Sequence, residues 1–220
     1  MDTANPVIRL CSEGMRAEAQ GRADAARALF EQAWDTATDD YEACVAAHYV
    51  ARHQTTPRDT LHWNQVCLER ADRVGDDRVA GFYASLHVNL GQAHRDLGDD
   101  IQAAQHFRLA ATHLGAVPAG PYRNWLRLGI AEGQRQTDTA EVTEGEQRLT
   151  ALLRQLCTQQ DLVSLCLLLP ACYADLGSAE DRDARAQALL MLHAQRRLGS
   201  REQQELSEII GLLQATDTAA

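Results

Sequence analysis

The chain has 220 residues, a formal net charge of −10 and an isoelectric point near 5.2. Nucleic acid is an unsuitable partner for such a chain, because binding to phosphates requires a basic surface that releases counterions. No apolar run approaches the roughly 18 residues needed to span a bilayer, and the N-terminus lacks a basic region followed by an apolar stretch. We therefore expect a cytoplasmic protein without a membrane partner.

Composition favours helices. The chain is 45% apolar but only 5% aromatic, and its abundant Ala and Leu suit close-packed helices better than a β-sandwich. All 21 basic residues are Arg, so an anion site would use Arg, His or backbone amides. The six cysteines form no C-x-x-C pair and lie in predicted helices, which predicts buried, reduced thiols.

Helical periodicity predicts three hairpins in the first half of the chain, over residues 6–37, 41–74 and 82–114. The second hairpin turns before Pro57, because the residue that precedes a proline is pushed out of helical geometry. The third turns at Gly98, where the apolar stripe of its first helix is interrupted. Each hairpin therefore consists of two helices and a short connection.

Two further hairpins are predicted over residues 121–158 and 162–198. In the fourth, the polar stretch after Gln136 predicts a loop before a helix over 147–158. In the fifth, a kink is expected at Pro170. An amphipathic helix over 201–214 follows, and we expect it to cover the open end of a helical stack.

Packing positions recur along the chain at a steady period. One column, spaced by 38, 39 and 38 residues, consists of Gly14, Arg52, Gly91 and Gly129. A second column with the same spacing consists of Phe30, Leu68 and Phe107. Two columns in step indicate a repeated structural unit.

The third hairpin has Gly91 in its first helix, Gly98 at its turn and Phe107 at a packing position of its second helix. In these three residues it resembles the tetratricopeptide repeat. Trp125-x-x-Leu128-Gly129 matches the opening of that repeat, and the resemblance covers residues 7–136. It implies an all-α, right-handed superhelix of about five hairpins and a C-terminal capping helix, folded as a single domain over residues 1–220.

In the family that the chain resembles, the first helix of each hairpin lines a concave groove that binds peptides or proteins. The resemblance offers as ligand-binding candidates Tyr49, His53, Asn89, Gln92, Arg123 and Arg127, beside Ser12, Met15 and Glu18 in the first hairpin. A lining rich in hydrogen-bond donors suits an acidic peptide or a free carboxylate. The implied function is a cytoplasmic interaction scaffold, with homo-oligomers left open; the alternative is that these residues are merely solvated.

A cluster of polar residues in the second hairpin supports a different hypothesis. The candidates are His48, Arg52, His62 and Asn64, and two of them replace the small residues that the repeat has at its helix contact. They form either a satisfied structural network or a polar pocket for a small molecule. In the second case the protein would be a small-molecule binder or an enzyme, with His48 or His53 as a general base.

The sequence predicts neither a metal nor a cofactor. His87 and His94 are seven residues apart, as are His106 and His113, which places each pair two turns apart on one helix face. That is too far for one ion without a third ligand, and there is no H-E-x-x-H motif. Nucleotide-dependent and hydrolase chemistry lack support too, because the sequence contains neither a Gly-rich phosphate loop nor G-x-S-x-G.

Overall fold

The computed structural model describes residues 4–138 and 142–219, and over these ranges it contains helices and no strands. The all-α prediction is therefore confirmed. The chain divides into two compact units, Met1–Thr137 and Asp138–Ala220, called here the N-terminal and C-terminal units. The single continuous domain stays a prediction.

The N-terminal unit consists of consecutive helices joined by short connections. They are α1 (Pro6–Ala19), α2 (Ala23–Thr36), α3 (Asp40–Arg52), α4 (Pro57–Val74), the short α5 (Asp77–Ala80), α6 (Tyr83–Asp96), α7 (Asp100–His113) and, after a 3-10 turn over Leu114–Ala116, α8 (Pro121–Thr137). Helix α1 packs on α2, α3 on α4 and α6 on α7, while α8 packs against both α6 and α7. These pairs cover the residues of the first three predicted hairpins.

Capping residues explain where several of these helices begin. The side chain of Asn5 accepts a hydrogen bond from the Val7 amide at 2.9 Å, directly before Pro6 at the first position of α1. Thr56 caps α4 in the same way, with Pro57 as its first residue. Gly98 adopts a φ of 76° in the connection between α6 and α7, a conformation that other residues rarely adopt. Local sequence thus sets where these helices begin and where the chain turns between them.

A repeated contact between glycine and phenylalanine holds the pairs together. Phe107 of α7 is 2% exposed, and its ring lies against Gly91 of α6 and Gly133 of α8. Phe30 of α2 lies against Gly14 of α1 in the same manner. The rings occupy space that a larger side chain would need, so the glycines allow the helices to approach closely.

The C-terminal unit contains α9 (Glu144–Thr158), α10 (Leu162–Cys172), α11 (Ala179–Gln195) and α12 (Ser200–Ala219). Helix α9 packs against α10 and α12, and α11 packs against the same two helices. The largest buried side chains of its core are Leu152, Leu156, Leu168, Leu189, Leu192 and Leu206. Since Leu206 and its neighbours on α12 are buried here, the terminal helix is part of this core.

Two local details differ from the sequence analysis. Helix α9 begins at Glu144, three residues before the predicted start, because Thr143 and Glu146 form a capping box. Residues 139–141 of the predicted loop lie outside the described residues. The prediction of buried thiols is wrong for Cys157 and Cys166, which are exposed, because both lie on the solvent sides of their helices.

Candidate functional site

Side chains from three helices of the N-terminal unit meet around Tyr49. Its hydroxyl donates a hydrogen bond to the sulfur of Met15 on α1 at 3.2 Å, and its ring stacks on Phe30 with centroids 4.9 Å apart. Burial raises the pKa of the Tyr49 hydroxyl, and Cys11 raises it further, while the charge of Arg52 lowers it. The hydrogen bond and the ring contact bring α1, α2 and α3 together at one surface.

A charged group borders this surface. Arg52 Nη2 donates to Glu18 Oε1 at 2.7 Å, and His53 Nε2 lies 3.6 Å from the same oxygen. The guanidinium carbon of Arg52 lies 5.9 Å from the centre of the Tyr49 ring. Together the residues Met15, Glu18, Tyr49, Arg52 and His53 are called here the Tyr49 surface. It combines an apolar centre with both signs of charge.

The four residues of the predicted polar pocket have different surroundings. Arg52 turns away from the contact between α3 and α4 and pairs with α1, because Glu18 offers a carboxylate there. His62 is exposed. Asn64 is 3% exposed, and its Oδ1 has no hydrogen-bond partner among the residues that the structure describes. Burial, together with the charge of Arg52, lowers the pKa of His48 to about 4, which makes it a weak base.

Arg52→Ala is expected to lower the free energy of unfolding by less than about 1 kcal/mol, because exposed ion pairs contribute little. The side chains of Arg52 and Glu18 are 43% and 33% exposed. Urea unfolding monitored by circular dichroism measures the change, and Glu18→Gln serves as the matched variant from the other side of the pair. A loss of several kcal/mol in either variant would contradict this placement.

The predicted groove residues are only partly accounted for by this surface. Tyr49 and His53 belong to it, and both rings contact Phe30. Gln92 is engaged within its own helix, where it donates to Asp96 at 2.6 Å and accepts from Arg95 at 2.8 Å. The remaining candidates, Asn89, Arg123 and Arg127, are half-buried.

The sequence analysis missed an exposed aromatic pair at the start of α8. Tyr122 and Trp125 are 53% and 61% exposed, and their rings stack with centroids 5.9 Å apart. Their spacing of three residues on a helix was a signal in the sequence, because it places two rings side by side on one face. The pair gives the N-terminal unit an exposed aromatic patch on α8.

Trp125 and Leu128, which match the opening of the repeat, are both exposed. Helix α8 instead buries Leu126, Ile130 and Gly133. The reason is the contact of Gly133 with Phe107 of α7, which turns this stripe of α8 inward.

A concave region lies between α2 and α3. It is an open cleft of about 540 Å³ that is lined mainly by polar atoms. Three aspartates reach it, but Asp40 is paired with Arg70 at 2.7 Å and with Arg73 at 3.7 Å. The guanidinium carbon of Arg70 also lies 5.8 Å from the centre of the Trp34 ring. The cleft therefore carries its own counter-charges, and we assign it no ligand.

Over residues 4–138 and 142–219, no group of three or more His, Cys, Asp or Glu side chains is arranged to hold a metal ion. None of the helices there combines the length and the apolar character that crossing a bilayer requires.

Comparison of the chain with protein-family models, with curated proteins and with solved structures gives no significant match in any of the three. The resemblance to the tetratricopeptide repeat therefore stays a prediction based on the residues themselves.

Proposed function

We propose that the N-terminal unit is a helical-repeat binding module that holds a peptide or protein partner on the aromatic pair Tyr122 and Trp125 and on the Tyr49 surface. The exposure of that pair is the observation that carries the proposal. Aromatic residues and arginine dominate the energetics of protein interfaces, because they bury large areas at little entropic cost. The N-terminal unit offers both, with the stacked pair on α8 and with Arg52 paired to Glu18.

The repeated contact between glycine and phenylalanine supports the repeat character of this module. Gly14 and Phe30 are 16 residues apart, and Gly91 and Phe107 are also 16 apart. Two hairpins thus close with the same contact at the same spacing. On this basis we propose that the hairpins are tetratricopeptide-like units that stack as a right-handed superhelix in a cytoplasmic scaffold.

The charges of the surface indicate the chemistry of the partner. A carboxylate at the C-terminus or on an acidic side chain of the partner competes with Glu18 for Arg52, which already holds such a group at 2.7 Å. His53 Nε2 lies 3.6 Å from the same oxygen and places a second nitrogen there. We therefore propose an acidic peptide segment as the partner.

Affinity capture with the immobilised full-length chain tests the proposal. Proteins retained from lysate by the wild type are compared with those retained by the double variant Tyr122→Ala/Trp125→Ala. Tyr173→Ala is the control. It removes another exposed aromatic residue, which lies directly after α10 in the C-terminal unit. Partners lost from the double variant alone support the proposal, and equal retention by all three chains rejects it.

The proposed chemistry of the partner is tested separately. Peptides derived from a captured protein are labelled and titrated with the wild-type chain, each with a free C-terminus and as the amide. Glu18→Gln is expected to bind the free acid more tightly, because Arg52 then lacks its internal carboxylate. If the free acid and the amide bind equally well, and if Glu18→Gln binds the free acid no more tightly than the wild type does, a carboxylate at Arg52 is excluded.

A further inference from the structure

Four histidines form a continuous row at the contact between α6 and α7. The ring centroids of His94 and His106 are 5.3 Å apart, those of His106 and His87 are 5.3 Å apart, and those of His87 and His113 are 5.6 Å apart. Tyr83 extends the row, with its ring 5.0 Å from that of His113. The row alternates between the two helices, so it spans their contact.

The central contact of the row is a hydrogen bond between two imidazoles. His87 Nδ1 and His106 Nδ1 are 3.1 Å apart. The ring centroids are 5.3 Å apart, and the difference of 2.2 Å (5.3 minus 3.1) is about twice the distance from the centre of an imidazole to its nitrogen. The two rings therefore meet at their nitrogens. One Nδ1 carries the proton and donates, and the other accepts.

This bond tolerates one added proton but not two. With both rings neutral, a single proton lies between the two Nδ1 atoms. A first added proton gives one imidazolium, whose Nδ1–H still donates to the neutral ring in a stronger, charge-assisted bond. A second added proton places an N–H on each Nδ1, so two donors face each other and two positive charges repel. The contact between His87 and His106 is then lost.

Two acids accompany the row of four histidines. Asp72 of α4 accepts a hydrogen bond from the Tyr83 hydroxyl at 3.0 Å, and Asp99 Oδ2, in the connection before α7, lies 3.3 Å from His94 Nδ1. Helix α8 meets this hairpin through Gly133, at the Phe107 ring, and through Gly129. The carboxylates lie toward the two ends of the row. Among the residues that the structure describes, no carboxylate is therefore placed to offset two positive charges on His87 and His106, and their contact depends on at least one ring being neutral.

Burial agrees with this interpretation. Together with the positive charges of His106 and His113, and against the opposing effect of Asp72, it lowers the pKa of His87 to about 4. Burial also lowers the pKa of His106, with a second contribution from His94. Both pKa values lie below the ordinary value of 6.5 in the unfolded chain. The unfolded chain therefore binds more protons as the pH falls from 6.5 toward 4, and stability falls with it.

We propose that the histidine row is an acid-sensitive contact whose protonation separates α6 from α7 and loosens the N-terminal unit before the C-terminal unit. The sensitivity to acid follows from the geometry of His87 and His106, since the hydrogen bond between their Nδ1 atoms requires a shared proton. Helices α9 to α12 contain a single histidine, His193, which lies beside Ser207 and is not part of the row. The two units thus differ in their response to acid.

Hydrogen exchange followed by mass spectrometry on the full chain tests the proposal, at pH 7.5 and pH 5.0 and with correction for intrinsic exchange rates. We expect peptides from α6 and α7 to lose at least tenfold more protection on acidification than peptides from α9 and α12. The double variant His87→Gln/His106→Gln keeps polar side chains that do not titrate, and should lose this selective response. An equal loss in both units, or a selective response retained by the double variant, would overturn the proposal.

Two control variants separate the row from other histidines. His62→Gln removes an exposed histidine on α4, and His48→Gln removes the histidine of α3 whose pKa is also low. Both should retain the selective acid response of α6 and α7. If the double variant does not fold, nitrogen NMR of the wild type replaces it. A scalar coupling between the two Nδ1 atoms at pH 7.5 that disappears at pH 3.5, below the pKa of His87, supports the proposal. Absence of the coupling at pH 7.5, or its persistence at pH 3.5, rejects it.

Discussion

Replacing Phe107 by alanine is expected to lower the free energy of unfolding by about 3 to 5 kcal/mol, the range measured for truncation of buried aromatic residues. The ring is 2% exposed and lies between Gly91 and Gly133. Neither glycine has a side chain that could move into the space, so a cavity remains between three helices. Urea unfolding of the wild type and the variant, followed by circular dichroism, measures the loss.

Ile101→Ala is the matched control for this experiment. Ile101 also lies on α7 but is 74% exposed, so its truncation should change the free energy of unfolding by no more than about 0.5 kcal/mol. Equal effects of the two variants would show that Phe107 does not fill the contact between the hairpins.

Gly133→Ala is expected to destabilise the N-terminal unit by about 1 to 3 kcal/mol through overpacking. A methyl group at this position would lie 2.3 Å from Cε1 of Phe107. That distance is far shorter than a carbon–carbon contact, and the ring is enclosed on its other side by Gly91. The clash outweighs the gain of roughly 1 kcal/mol that alanine brings to a helix interior.

The same substitution four residues earlier should have the opposite sign. At Gly129 the added methyl group would lie 4.0 Å from Val88, an ordinary contact, so Gly129→Ala should stabilise by up to about 1 kcal/mol. A double variant, Gly133→Ala with Phe107→Leu, should recover part of the loss, because the smaller side chain makes room. Thermal melting of the wild type, the two single variants and the double variant measures these changes in stability. A change of the same sign in Gly133→Ala and Gly129→Ala would contradict the packing of α8.

The helices themselves were predictable from local sequence. Thr56 and Pro57 mark a helix start, and Gly98 marks a connection, because caps and left-handed conformations depend on a few adjacent residues. The role of Phe107 was also predictable, since its column with Phe30 and Leu68 identified a packing position. The short helix α5 was missed, because its four residues are too few to show a period.

The surroundings of polar residues were not predictable to the same degree. Arg52 was expected at the contact between α3 and α4, but its direction depends on Glu18, which lies 34 residues earlier on another helix. The exposure of Trp125 likewise depends on which stripe of α8 meets Phe107. Such choices are made by long-range packing, and the period of one helix does not contain them.

The histidine row shows the same limit. The spacing of His87 from His94 and of His106 from His113 was visible, and each pair was correctly placed two turns apart on its helix. What the spacing could not show is that the two pairs alternate across the contact between α6 and α7. A metal site was dismissed for want of a third ligand, while the hydrogen bond between rings of different helices went unforeseen.

The contact of one phenylalanine with two glycines also constrains how the sequence can change over time. Because Phe107 touches Gly91 and Gly133 on different helices, enlargement of either glycine requires a smaller residue at position 107, and that change leaves the other glycine with a void. The three positions should therefore covary as a set. Phe30 closes a similar contact with Gly14, so we expect that pair to vary separately from the set around Phe107.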